Sequence, residues 1–101
     1  MNEYRFTGLA HRVRVLLEHH ARRAEEILTV LERHPLATVW QIAGDLTWSR
    51  GWSQVTGFMR RAAVAETAAH LQWLSESDRV AVRAEHNGGG PDRYLVVPAR
   101  S

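Results

Sequence analysis

Thr38-Val39-Trp40-Gln41-Ile42-Ala43-Gly44-Asp45-Leu46 opens the stretch, residues 38–75, whose reading decides the fold. Thr38 and Gln41 have the spacing of a capping box, in which the hydroxyl accepts from the Gln41 amide and the Gln41 side chain reaches back. That predicts a helix starting at Thr38. Val39, Ile42, Ala43 and Leu46 fall on one face of it, and the pattern stops near Leu46 or Thr47. Trp48-Ser49-Arg50-Gly51-Trp52-Ser53-Gln54 reads as a loop, from its glycine and small polar residues. A second helix is predicted from about Thr56 to Ser75. Val64, Thr67, Ala68, Leu71 and Leu74 make one face, and Phe58, Ala62, Ala65, Ala69 and Trp73 make another. Apolar on two sides, this helix is expected to lie centrally.

Upstream, Leu9, Val13, Leu16, Leu17, Ala24, Ile27, Leu28 and Leu31 form one stripe at helical spacing. A long helix is therefore predicted over about 8–33, ended by Pro35, which disfavours helical geometry in the residue before it. Arg14 with Glu18, Glu18 with Arg22, and Arg22 with Glu26 stand one turn apart on its polar side. Residues 1–6 show no pattern. Downstream, Val80, Val82 and Ala84 alternate with Ala81, Arg83 and Glu85, the period of a strand. Asn87-Gly88-Gly89-Gly90-Pro91-Asp92 is a turn cluster, and residues 94–97 are a second β-prone run. The order is helix, helix, helix, hairpin. That is the winged-helix arrangement, an α+β fold: one domain over 1–101 with a long first helix, a helix-turn-helix over about 38–75 and a two-stranded wing over about 79–97.

Composition bounds the function. The chain has 101 residues, 45% hydrophobic and 24% charged, and no cysteine. That suits one globular domain and excludes disulfides and thiolate metal sites. No apolar run reaches the ~20 residues of a membrane span, and no secretory leader is evident, so a cytoplasmic protein without membrane contact is expected. All thirteen basic residues are arginine, yet the net charge is only +2. That is a small excess for a nucleic-acid module.

The six histidines lack zinc-site spacing, so neither metal nor cofactor is expected. His20 falls within the apolar stripe of the first helix and reads as a packed or interface histidine. Glu66 and His70, one turn apart, have the types of an acid–base pair. No nucleophile or phosphate cradle accompanies them, and Gly88-Gly89-Gly90 is not followed by the lysine of a P-loop. Four tryptophans are many for this length. Trp48, Trp52, Trp73 and Phe58, with Leu9, Val13, Leu16 and His20, are the candidate protein-interface residues. Arg60, Arg61, Arg83 and Arg93 are the candidate phosphate contacts of the alternative reading, a DNA-binding winged-helix regulator.

Thr38-Val39-Trp40-Gln41-Ile42-Ala43 with Leu46 and Trp48, Met59-Arg60-Arg61-Ala62, and Ala65-Glu66-Thr67-Ala68-Ala69-His70-Leu71 with Leu74 resemble the C-terminal winged-helix domain of metallo-β-lactamase-fold hydrolases. Leu16-Leu17-Glu18-His19-His20 and Arg22-Arg23 are similar to that domain's entry helix, and the resemblance spans about residues 9–97. It implies a non-catalytic accessory domain. The family's chemistry belongs to a separate domain with a His-x-His-x-Asp-His metal motif that this chain does not contain. The implied partners are such a catalytic domain, in the same or a neighbouring chain, and a second copy, giving a homodimer when isolated. Nucleic-acid binding is expected to be weak, because the alanine-rich outer face of the last helix cannot read base edges.

Overall fold

The computed structural model describes residues 2–49, 51–84 and 90–98. The apolar stripe of the first helix governs the assembly. α1 (Asn2–Arg33) is followed by β1 (Ala37–Thr38), α2 (Val39–Asp45), a single 3₁₀ turn (Trp52–Gln54), α3 (Gly57–Glu76), β2 (Val80–Arg83) and β3 (Arg93–Val96). α1 begins at Asn2, earlier than the predicted residue 8, because nothing after Asn2 breaks it even where no apolar periodicity marks it. Thr38 caps α2 as its spacing predicts. Its hydroxyl accepts from the Gln41 amide at 3.2 Å, and the Gln41 side chain accepts from the Thr38 amide at 2.9 Å.

The sheet corrects the two-stranded expectation. β3 lies at its centre, antiparallel to β1 on one side and β2 on the other. Ala37 faces Tyr94 and Thr38 faces Arg93, while Val80 faces Val96 and Arg83 faces Arg93. Leu36, in the left-handed region at φ 65, swings the chain from α1 into β1, and its amide donates to Tyr94 O at 2.9 Å. Of the turn expected over Asn87 to Asp92, residues 87–89 lie outside the described residues.

The core forms where helices and sheet meet. Ala24, Ile27, Leu28 and Leu31 of α1 pack with Ile42 of α2, Leu46, Leu71 and Leu74 of α3, Ala37 and Val80. Each large aliphatic side chain among them contributes roughly 1.5–3 kcal/mol by leaving water. Thr67, wholly buried, satisfies its hydroxyl on Ala63 O at 2.8 Å.

Only the last third of α1 takes part. Residues 8–22 are all exposed, and burial begins at Arg23 and Ala24. The helix, ~48 Å long at 1.5 Å per residue, therefore projects from the body as an arm. The molecule accordingly measures 60 Å along its longest axis, with a radius of gyration of 16.3 Å, against ~13 Å for a compact chain of this size. α3 is likewise covered on one side only. Thr67, Leu71 and Leu74 are buried, whereas Phe58, Ala62, Ala65, Ala69 and Trp73 face outward. The expectation of a central α3 fails because, of the described elements, only the arm of α1 comes near that second face, at Ala69 and Trp73, and it leaves both exposed.

Candidate interaction surface

The stripe that makes the core also makes the surface. Leu9, Val13, Leu16 and Leu17 continue, turn by turn, the row that ends in Ala24, Ile27, Leu28 and Leu31. Above Ala24 the described residues leave it largely uncovered, and Leu9 is 59% and Leu17 64% exposed. Where the arm leaves the body, Leu17, His20 and Ala21 of α1 and Ala69, His70 and Trp73 of α3 line a cleft that is almost wholly apolar. Trp73 is 53% exposed there, and Phe58, farther along α3, is 80% exposed. Leu9, Val13, Leu16, His20, Phe58 and Trp73 thus all lie on the surface. The cleft itself was not legible in the sequence. Its signal was the coincidence of Leu17 and Ala21 on one stripe with Ala69 and Trp73 on an apolar second face.

A histidine pair forms the floor of the elbow. His70 is buried, and its Nδ1 lies 2.9 Å from Glu66 O. A carbonyl only accepts, so Nδ1 carries the proton and Nε2 is left as an acceptor. His20 Nδ1 stands 3.1 Å from that Nε2 and donates to it. Glu66 thus holds His70 through its backbone, and the acid–base pair suggested by the spacing is not built through the carboxylate. Among the described residues no group of three or more His, Asp or Glu side chains is placed to hold a metal ion.

Trp48 and Trp52 serve mainly to order the connection between α2 and α3. Trp48 Nε1 donates to Ala43 O at 2.8 Å, and Arg23 lies 4.4 Å above its ring. Trp52 packs close beneath Gly44 and edge-on to Trp40. Arg60 completes this box. Its guanidinium sits 4.5 Å over Trp52, while Nε donates to Val55 O at 2.6 Å and Nη2 to Trp52 O at 2.9 Å.

These uses bear on the candidate phosphate contacts. Arg60 is committed to the loop, and Arg93 donates to Leu36 O at 3.1 Å. Arg61 and Arg83 are exposed, on α3 and β2. The arginines are thus spread over different elements, and two of them already hold backbone carbonyls.

Two titratable groups depart from their ordinary range. Burial pushes the Glu26 carboxyl up, but hydrogen bonds from Thr47 and the neighbouring Arg23 outweigh this, and its pKa is lowered. The backbone bond is 2.9 Å long and the Arg23 contact 2.6 Å, tying α1 to the end of α2. Tyr94 is raised by burial and by the charge of Asp92.

No protein-family model, curated protein or solved structure compared with this chain matches it. The fold shown is a small α+β domain of three helices and a three-stranded antiparallel sheet. No helix among the described residues is long and apolar enough to cross a membrane.

Proposed function

We propose that this chain is a non-catalytic accessory domain of winged-helix type, similar to the C-terminal domain of metallo-β-lactamase-fold hydrolases. It acts through protein contacts, with such a catalytic domain or with itself. The observation that carries the reading is the outward face of α3. In a DNA-reading winged helix that face presents polar and basic side chains to base edges. Here it presents Phe58, Ala62, Ala65, Ala69 and Trp73, open to contact. The Trp73 indole N–H is the only polar group among these five side chains and cannot by itself read a base pair, whereas exposed aromatics beside small residues suit a protein surface. The engagement of Arg60 and Arg93 with backbone carbonyls adds support.

The test pairs two titrations. The chain is titrated into a metallo-β-lactamase-fold catalytic domain encoded beside it, and into random and selected DNA duplexes at two salt concentrations. The reading expects a stoichiometric protein complex. It expects DNA binding only in the non-specific range of ~10⁻⁴–10⁻⁶ M at physiological salt. Sub-micromolar binding to one duplex in preference to others would replace it with the DNA-binding regulator.

A further inference from the structure

The geometry points to a specific occupant of the elbow cleft: the first turns of α1 from a second copy of this chain, running antiparallel, with Leu9 as the inserted side chain. This deepens the protein-contact reading above and rests on it.

A closed two-fold interface must be self-complementary, carrying its projection and its hollow on the same patch. The arm has that form. Leu9 and Val13 project near its free end. The cleft of Leu17, Ala21, Ala69 and Trp73 lies farther down the same stripe. Leu9 and Ala21 are centred on residue 15, and so are Val13 and Leu17. One antiparallel alignment about that level therefore brings Leu9 of the second copy level with Ala21 and Val13 of the second copy level with Leu17, so that each arm reaches the other copy's cleft. A parallel alignment sets cleft beside cleft and fills neither.

The area is also sufficient. A standard interface buries ~800 Å² on each side, of which about 57%, or ~450 Å², is apolar. Leu9, Val13, Leu16, Leu17 and Trp73 are all about half exposed or more. At roughly 100 Å² each they supply ~500 Å². The arm itself needs such cover, because most helix stability in proteins comes from packing an amphipathic face.

The chain has no cysteine, so introduced thiols report one pairing at a time. Light scattering on the full chain at tens of micromolar should give a dimer. Leu9→Cys combined with Ala21→Cys should oxidise to a covalent dimer. Leu9→Cys alone should not, since its two copies lie ~18 Å apart along the axis, far beyond disulfide reach. Leu9→Glu with Val13→Glu should weaken dimerisation by about 100-fold or more, as loss of central contacts does, with the cooperative unfolding of the body retained. A wild-type monomer at high micromolar concentration overturns the proposal, as does ready cross-linking of Leu9→Cys alone or a glutamate variant that stays dimeric. A monomer that still binds the catalytic domain removes the dimer and keeps the accessory reading. A dimer that selects one DNA duplex does the reverse.

Discussion

Replacing Arg60 by alanine separates its structural role from a role in phosphate contact. The side chain makes two hydrogen bonds, to Val55 O at 2.6 Å and Trp52 O at 2.9 Å, and stacks 4.5 Å above Trp52. Hydrogen bonds to charged groups contribute ~1.5–3 kcal/mol. Arg60 is half-buried and water can reach the freed carbonyls, so about 1 kcal/mol each is the better figure. A partly exposed cation–π contact adds ~0.5 kcal/mol. Arg60→Ala should therefore cost about 2–2.5 kcal/mol. At ~4–8 °C per kcal/mol for a chain near this size, melting should fall by roughly 8–20 °C. Arg60→Lys keeps the charge but cannot fork to two carbonyls or lie flat on the ring, and should recover less than half of the loss. Thermal and urea denaturation followed by far-UV dichroism measure both. A cycle with Trp52→Ala should give a coupling of at least ~0.5 kcal/mol. Melting of Arg60→Ala within ~2 °C of wild type, or full rescue by lysine, would refute the box and return Arg60 to the surface charges.

Three further outcomes are expected. Thr38→Ala removes the hydroxyl half of the capping box and should lower stability by about 0.5–2 kcal/mol in urea unfolding; no loss would mean that β1 alone holds this turn. Glu26 has a folded pKa below its ordinary value of 4.5, so its stabilisation is complete above that value and is lost as pH falls through the folded one. Glu26→Gln should be less stable at pH 7 yet lose less on acidification below about 4.5, and parallel pH profiles for the two proteins would contradict this. Protein purified without a histidine tag and dialysed should retain far less than one equivalent of zinc by elemental analysis, and near-stoichiometric zinc would reopen His20 and His70 as ligands.

Local chemistry was legible in the sequence, and coverage was not. The capping box at Thr38 and Gln41 needs only residues three apart, so spacing found it. The strand period at Val80 and Val82 is equally local. β1 has two residues, too few for any period, and it exists only because Tyr94 and Arg93 pair with it from the far end of the chain. The stripe from Leu9 to Leu31 was visible as one pattern, yet it is core below Ala24 and surface above it. Periodicity states which side chains share a face and is silent on what meets that face. The same gap misplaced α3 as central. It left Trp48 and Trp52 among the interface candidates, where the structure turns them to holding the loop beside Arg23 and Arg60.

The position of β3 has a consequence for how the chain acquires its shape. The central strand of the sheet is made by the last segment of the described fold, Arg93–Val96, and it joins residues 37–38 to residues 80–83. During synthesis the three helices emerge first, with Ala37 and Val80 still lacking the strand between them. The sheet can close only when residue 96 has cleared the ribosome, seconds after α1 at ~5–20 residues per second. Until then the nascent chain carries an uncovered arm and two unpaired strand edges, a form disposed to associate wrongly. Shortening the chain before Arg93 would trap it in that form. Such a truncation is expected to abolish the whole fold, where the loss of a peripheral hairpin would have spared it.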